Sequence, residues 1–219
     1  MQIARAAAHN ADPTTGNAST TDAMGALAKG KGLEASADAH AQRQAQEILW
    51  PWVVFFGALH VAALYGAFLL FASARLLTIA YTALLFAAGG VGVTAGAHRL
   101  WCHRCYKATR PLRVLLVVMN TLAFQNHIHE WARDHRLHHK YTETDADPHN
   151  STRGFFFSHV GWLLMRKHPH AQERAKLVDV SDIEQDEIVT FQKKYYRVLM
   201  PLICFIIPTI IPVYMWNET

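Results

Sequence analysis

Residues 50–72, WPWVVFFGALHVAALYGAFLLFA, run for 23 positions without an Asp, Glu, Lys or Arg, and no other feature limits the fold so strongly. An apolar run of that length crosses a hydrocarbon core of about 30 Å as a helix, which satisfies its own backbone polar groups where water is absent. Residues 76–97, LLTIAYTALLFAAGGVGVTAGA, form a second such block. A third runs from Leu199 to Trp216, where Pro201, Pro208 and Pro212 predict a bent helix. Apolar residues gathered in blocks argue for three membrane spans rather than one water-soluble core.

About fifty residues precede Trp50 and no small-residue cleavage pattern follows its apolar run, so the block reads as a retained span rather than a secretory signal. Residues 1–47 are rich in Ala, Thr, Gly and Asp and poor in aromatic and β-branched apolar side chains. Such a segment buries too little surface to offset chain entropy, and a disordered tail is expected there.

Of the 21 Lys and Arg residues, four precede Trp50, Arg75 stands alone between the first two blocks, and sixteen lie between Arg99 and Arg197. By the positive-inside rule the tail and the segment 98–198 face the cytosol, and the turn at 73–75 faces the lumen. The same long segment carries eleven acidic residues, so its charge is mixed and a nucleic-acid surface is excluded. Cys102, Cys105 and Cys204 provide neither an even count nor a completed zinc spacing, and a zinc site using Cys102, His103 and Cys105 would need a partner the sequence does not supply.

Histidine is the unusual residue: of fourteen in 219, nine fall between His98 and His159 in the segment assigned to the cytosol. His98 and His103 stand in HRLWCH where the second block ends, and His135, His138 and His139 stand in HRLHH. Helical residues turn by about 100° each, which puts positions 135, 138 and 139 on one face. Positions 98 and 103 would point about 140° apart on an ideal α-helix, so they serve different ions or the helix loosens there. Imidazole suits iron, zinc, copper and nickel. Five clustered imidazoles exceed what one zinc requires and favour two ions. The bland alternative, solvated polar residues beside a membrane, fits a single histidine better than two spaced clusters. His60, inside the first block, is expected to bond a neighbouring helix. His127 and His129 are either supporting partners of the second cluster or solvent-facing.

The motifs HRLWCHR, EWARDHRLHHKY, DADPHN and FFFSHVGWLLMRKHP together closely resemble the membrane acyl-CoA desaturases of the stearoyl-CoA Δ9 type. The likeness covers 48–219 and implies an all-α integral membrane protein, with transmembrane helices capped by a cytosolic helical domain that carries a non-haem di-iron centre. It implies His98 and His103 as the first histidine box and His135, His138 and His139 as the second, all ligands of iron. Asn126, Trp131, Arg133 and Asp134 match positions lining an acyl-CoA entrance and tunnel. Arg166 and Lys167 match a basic stretch near the CoA phosphates, with interfacial lipid contact as the alternative. The implied reaction inserts a cis double bond, Δ9 in type, into a saturated acyl-CoA with O2 and electrons from cytochrome b5 at the endoplasmic reticulum membrane. A homo-oligomer is left open.

Two further readings concern what the sequence lacks. A third His-x-x-His-His box, expected after a fourth span, is absent, and no histidine follows His170. The chain is therefore expected to be a C-terminally truncated form with three of four spans, inactive alone. The competing expectation is a non-catalytic membrane protein that binds acyl-CoA or pairs with an intact desaturase. Finally, 111–126, PLRVLLVVMNTLAFQN, is too short to span and reads equally as an interfacial helix or a core helix.

Overall fold

The computed structural model describes residues 47–218, together with 27, 29–33 and 36. The disordered tail expected over 1–47 otherwise lies outside the described residues; the few described between 27 and 36 are helical and exposed. From residue 47 onward the chain is an all-α integral membrane protein, with three helices long and apolar enough to cross a membrane.

Helix α1 (Trp50–Ala72) buries none of its residues, as expected of a helix that is apolar on every side and meets lipid rather than protein. Pro51 sits in its first turn, where a missing N–H is tolerated. The His60 Nδ1–H donates to the Phe56 carbonyl at 2.7 Å, one turn back on the same helix. The expected bond to a neighbouring helix is thus replaced by a local one, because His60 is exposed on a span that buries none of its residues, which leaves the imidazole its own backbone.

Helix α2 (Leu76–Val91) continues without a break into a π-helical segment, Gly92–Cys102, and the two form a 27-residue span. Helix α3 (Arg110–Leu122) crosses against it. Gly92 permits the crossing: a Cβ built there would stand 2.3 Å from the Asn120 nitrogen and the Met119 carbonyl carbon. Helix α3 buries Leu116, Val117, Asn120 and Thr121 while Leu112, Val114, Leu115 and Val118 stay exposed. The core-helix reading holds for its buried face, and its other face is an exposed apolar surface.

Helix α4 (Ile128–Tyr141) starts at His127, whose Nδ1 accepts from the Glu130 backbone N–H at 3.2 Å. The short helices α5 (Trp162–Leu164), α6 (Pro169–Ala175) and α7 (Ser181–Glu184) follow. The last span begins as α8 (Glu187–Met200), passes through π-helical spacing at Pro201–Ile206, and ends as α9 (Ile207–Trp216). This helix starts well before the expected Leu199, because its first turns are amphipathic and bury Ile188, Val189 and Gln192 in the cap. The three prolines do not stop it, and the change in spacing at Pro201 absorbs the lost N–H.

The core lies where the π-helical segment, α3, α4 and α8 meet: Ala97, Leu100, Trp101, Leu116, Val117, Ile128, Ala132, Ile183 and Val189. Gln192, fully buried, holds three elements there. Its Nε2 donates to Asn120 Oδ1 at 3.2 Å and Thr121 Oγ1 at 2.9 Å, and its Oε1 accepts from the Ile128 N–H at 3.0 Å. Asp186 caps α8 through the Ile188 and Val189 N–H groups and accepts from Trp101 Nε1 and Arg113 Nη1. At the other end of the bundle, Glu218 accepts from the Arg75 N–H and the Thr78 hydroxyl, and Trp216 Nε1 donates to Thr78. The turn after α1 and the end of α9 therefore share one end, as three antiparallel spans require.

Candidate metal centre and adjoining cavity

Four of the expected histidines converge. The ligand atoms of His98, His103, His135 and His139 all lie within 4.8 Å of one another. The backbone explains the first pair. In the π-helical segment the His103 N–H donates to the His98 carbonyl at 2.9 Å, an i to i+5 bond that wraps the two residues onto one side. Their ring centroids are 4.5 Å apart instead of opposed. Of the two readings offered by the spacing, the loosened helix is the one observed.

The second pair uses ordinary α-helical spacing. His135 and His139 are one turn apart, their Nε2 atoms separated by 3.0 Å, and His135 Nε2 lies 3.3 Å from His103 Nε2. Two imidazole nitrogens on one tetrahedral ion, each about 2.0–2.1 Å from it, stand roughly 3.4 Å apart. The donor set fits a first-row transition ion. Burial pushes the His135 pKa down to about 3, helped by the positive charge that protonating His139, His98, His103 or His138 would add. Burial, His98, His139 and Arg136 push His103 down as well. His135 is thus a neutral imidazole with a free lone pair at neutral pH, as metal binding needs.

His138 does not join the four. Its Nδ1 lies 2.9 Å from Asp147 Oδ1, and its ring centroid is 4.3 Å from that of His149. His138, Asp147 and His149 form a second grouping of possible metal donors, and Asp145, His168 and His170 a third. Asp147 and His149 both stand in the DADPHN motif, but no ligand spacing singles them out there, and they reach α4 from an irregular loop. His127 and His129 serve structure instead: the first caps α4, and the second lies 3.2 Å from Glu184 Oε1 and accepts from Lys193 Nζ at 3.1 Å. Among the described residues no cysteine joins a metal-capable grouping.

One residue locks the two histidine-bearing elements together. Arg136 donates to the Trp101 carbonyl at 2.7 Å and the Cys102 carbonyl at 3.4 Å, the last acceptors of the π-helical segment, and reaches both oxygens of Asp182 at 2.9 and 2.8 Å. Although burial opposes it, these bonds and those from Arg104 hold the Asp182 carboxyl well below the usual range.

Trp131 stacks on His135, with ring centroids 4.7 Å apart. It also lines a cavity of about 760 Å³ whose walls include Trp52, Phe56, Phe124, Asn126 and Trp162. A second cavity of about 570 Å³ shares Trp52, Phe56, Asn126, Trp162 and Leu163 and is lined further by Arg166 and Lys167. The shared aromatic walls set a cavity lined by Arg166, Lys167 and Glu130 beside one lined by the tryptophan next to the histidines. In the second cavity Lys167 pairs with Asp134, Asp134 with Arg133 at 2.8 Å, and Arg166 with Glu47 at 2.7 Å. Arg133 and Asp134 therefore brace the cavity from behind, whereas Asn126, Trp131, Arg166 and Lys167 line it.

No family model matches the chain. Curated relatives do. It is 61% identical over 201 residues to an acyl-CoA Delta-9 desaturase of Acheta domesticus, covering 90% of this chain and 56% of the relative. It is 53% identical over 197 residues to an acyl-CoA Delta12-desaturase of the same species, covering 90% and 53%. A stearoyl-CoA desaturase of Sus scrofa is 52% identical over 181 residues, covering 83% and 50%. The chain spans about half the length of the curated relatives it matches.

Proposed function

Because the chain belongs to the membrane acyl-CoA desaturase family, we propose that it serves the insertion of a cis double bond, Δ9 in position, into a saturated acyl-CoA. The observation that carries this reading is a pair of adjoining cavities with shared aromatic walls: Arg166 and Lys167 line one, and Trp131, whose ring stacks on His135 within the four-histidine cluster, lines the other.

Each part has a chemical task. Arg166 and Lys167, paired here with Glu47 and Asp134, would exchange those carboxylates for the CoA phosphates. The aromatic walls hold an acyl chain and exclude water, which decides which carbon is presented to the histidines. His98, His103, His135 and His139 would hold iron, with His138 as a further ligand. Bound iron supplies the O2 activation that removal of hydrogen from an unactivated methylene demands and that no side-chain acid or base can provide. Neutral imidazoles at His103 and His135 favour such binding at physiological pH. Electrons from cytochrome b5, an endoplasmic reticulum membrane and a cytosolic face for the histidines complete the reading, with the excess of Lys and Arg on that segment in support.

The test uses the detergent-purified chain. Iron per chain is measured by mass spectrometry and stearoyl-CoA binding by calorimetry, and the lipids of cells expressing the chain are analysed for new double bonds. The expected results are bound iron and saturable acyl-CoA binding that Lys167→Ala weakens. Binding of neither would sink the proposal. Binding of both without any new double bond would favour a non-catalytic role alongside an intact desaturase.

A further inference from the structure

Asp147 is the most buried carboxylate near the histidines, with its side chain 1% exposed, and no lysine or arginine pairs with it among the described residues. Its bonds come from other sources. Oδ2 accepts from the Glu143 N–H at 3.0 Å, and Oδ1 accepts from the His149 N–H at 3.1 Å and faces His138 Nδ1 at 2.9 Å. An ionised carboxylate accepts hydrogen bonds and donates none. His138 must then carry its proton on Nδ1, which leaves the lone pair of the neutral ring on Nε2.

We infer that Asp147 is the positioning residue of His138: its carboxylate selects the Nδ1–H tautomer, so that Nε2 is free to ligate a metal. The inference rests on the metal-binding reading above and adds to it a residue that lies outside both histidine clusters. His138 sits beside His139 and His135 on α4, with ring centroids 5.6 and 6.0 Å away. A carboxylate behind a ligating histidine raises the basicity of the ring and fixes its orientation. The loop from Tyr141 to Asn150 is built to hold it. The Thr144 hydroxyl accepts from the Ala146 N–H, Asn150 Nδ2 donates to the Thr144 carbonyl, and the Asp147 N–H donates to the same carbonyl at 3.0 Å.

The test is Asp147→Leu, alone and combined with His138→Ala. Leucine keeps much of the shape and removes both acceptors, whereas asparagine could keep its one oxygen on the side of Oδ1 and so spare the His138 bond. Nitrogen-15 NMR of histidine-labelled, metal-free protein reads the tautomer directly: Nδ1–H is expected at His138 in the parent protein, and Nε2–H in Asp147→Leu. Cobalt(II) titration should show affinity about 10–100-fold weaker in Asp147→Leu, the usual effect of removing such a partner. In the His138→Ala background the same change should do nothing further, because Asp147 acts through that ring. Nε2–H at His138 in the parent protein would overturn the inference, as would losses that add in the double variant, since those mark a general structural role. A parent protein that binds no cobalt or iron overturns the metal reading and the ligand role of His138 with it. Metal bound with equal affinity by parent and Asp147→Leu overturns this inference alone.

Discussion

Arg136→Met should separate the two histidine-bearing elements while leaving every histidine in the sequence. The arginine side chain is 14% exposed and makes charged bonds to the Trp101, Cys102 and Asp179 carbonyls and to both oxygens of Asp182. Hydrogen bonds with a charged partner contribute about 1.5–3 kcal/mol each in isolation. The pair with Asp182, whose side chain is 33% exposed, is screened by water and counts for only about 1 kcal/mol. The bonds share one guanidinium and do not add, so a loss of about 2–4 kcal/mol is expected, part of it from carbonyls at the end of the π-helical segment left without donors. For a chain of this size that lowers the melting temperature by roughly 6–12 °C. Fluorimetry of the detergent-solubilised protein measures it. Labelling of Cys102, which is 7% exposed and adjoins the released carbonyls, reports where the opening occurs. Arg104→Ala is the control, since Arg104 meets the same aspartate from a side chain 58% exposed and should matter little. A shift under about 2 °C with Cys102 still protected would refute the clamp.

Metal-free protein should lose stability as pH falls below 6.5, because burial lowers the folded-state pKa of His135 to about 3 and the unfolded chain takes up the proton first. His103 and His149 act in the same direction, whereas Asp182 and Asp186 contribute steadily until pH falls below 3.8, so melting curves between pH 8 and 5 isolate the histidines. A flat profile in that window would contradict the assignment. Gly92→Ala should abolish accumulation of folded protein, since the new methyl carbon would meet backbone at 2.3 Å, while Gly90→Ala, with nothing within 4 Å, should be tolerated; size-exclusion profiles compare them. Gln192→Leu leaves the Ile128 N–H and Asn120 Oδ1 buried without their partner and should destabilise by about 2–4 kcal/mol, read as a lower melting temperature.

Much of this protein can be read from composition in order. The blocks at 50–72 and 76–97 match α1 and the start of the second span, because partition between lipid and water depends on side chains one at a time. The third span was legible only in its apolar half. Its first turns, Glu187 to Val198, mix charged and apolar residues, and only packing of Ile188, Val189 and Gln192 on the cap shows that they belong to the same helix.

The histidines divide along the same line. That His98, His103, His135 and His139 are chemically suited to a metal, and that the chain resembles acyl-CoA desaturases, could be concluded from sequence, since residue type and motif carry both. Tertiary structure alone decided that His98 and His103 share a side, that His138 turns to Asp147 and His149, and that His127 and His129 support the scaffold. Those outcomes depend on backbone spacing and on groups distant in the chain. An i to i+5 bond moves a side chain around its helix, and a buried carboxylate in a loop selects which face of an imidazole is free. Neither leaves a period in the sequence, because each is a property of neighbours brought together by packing.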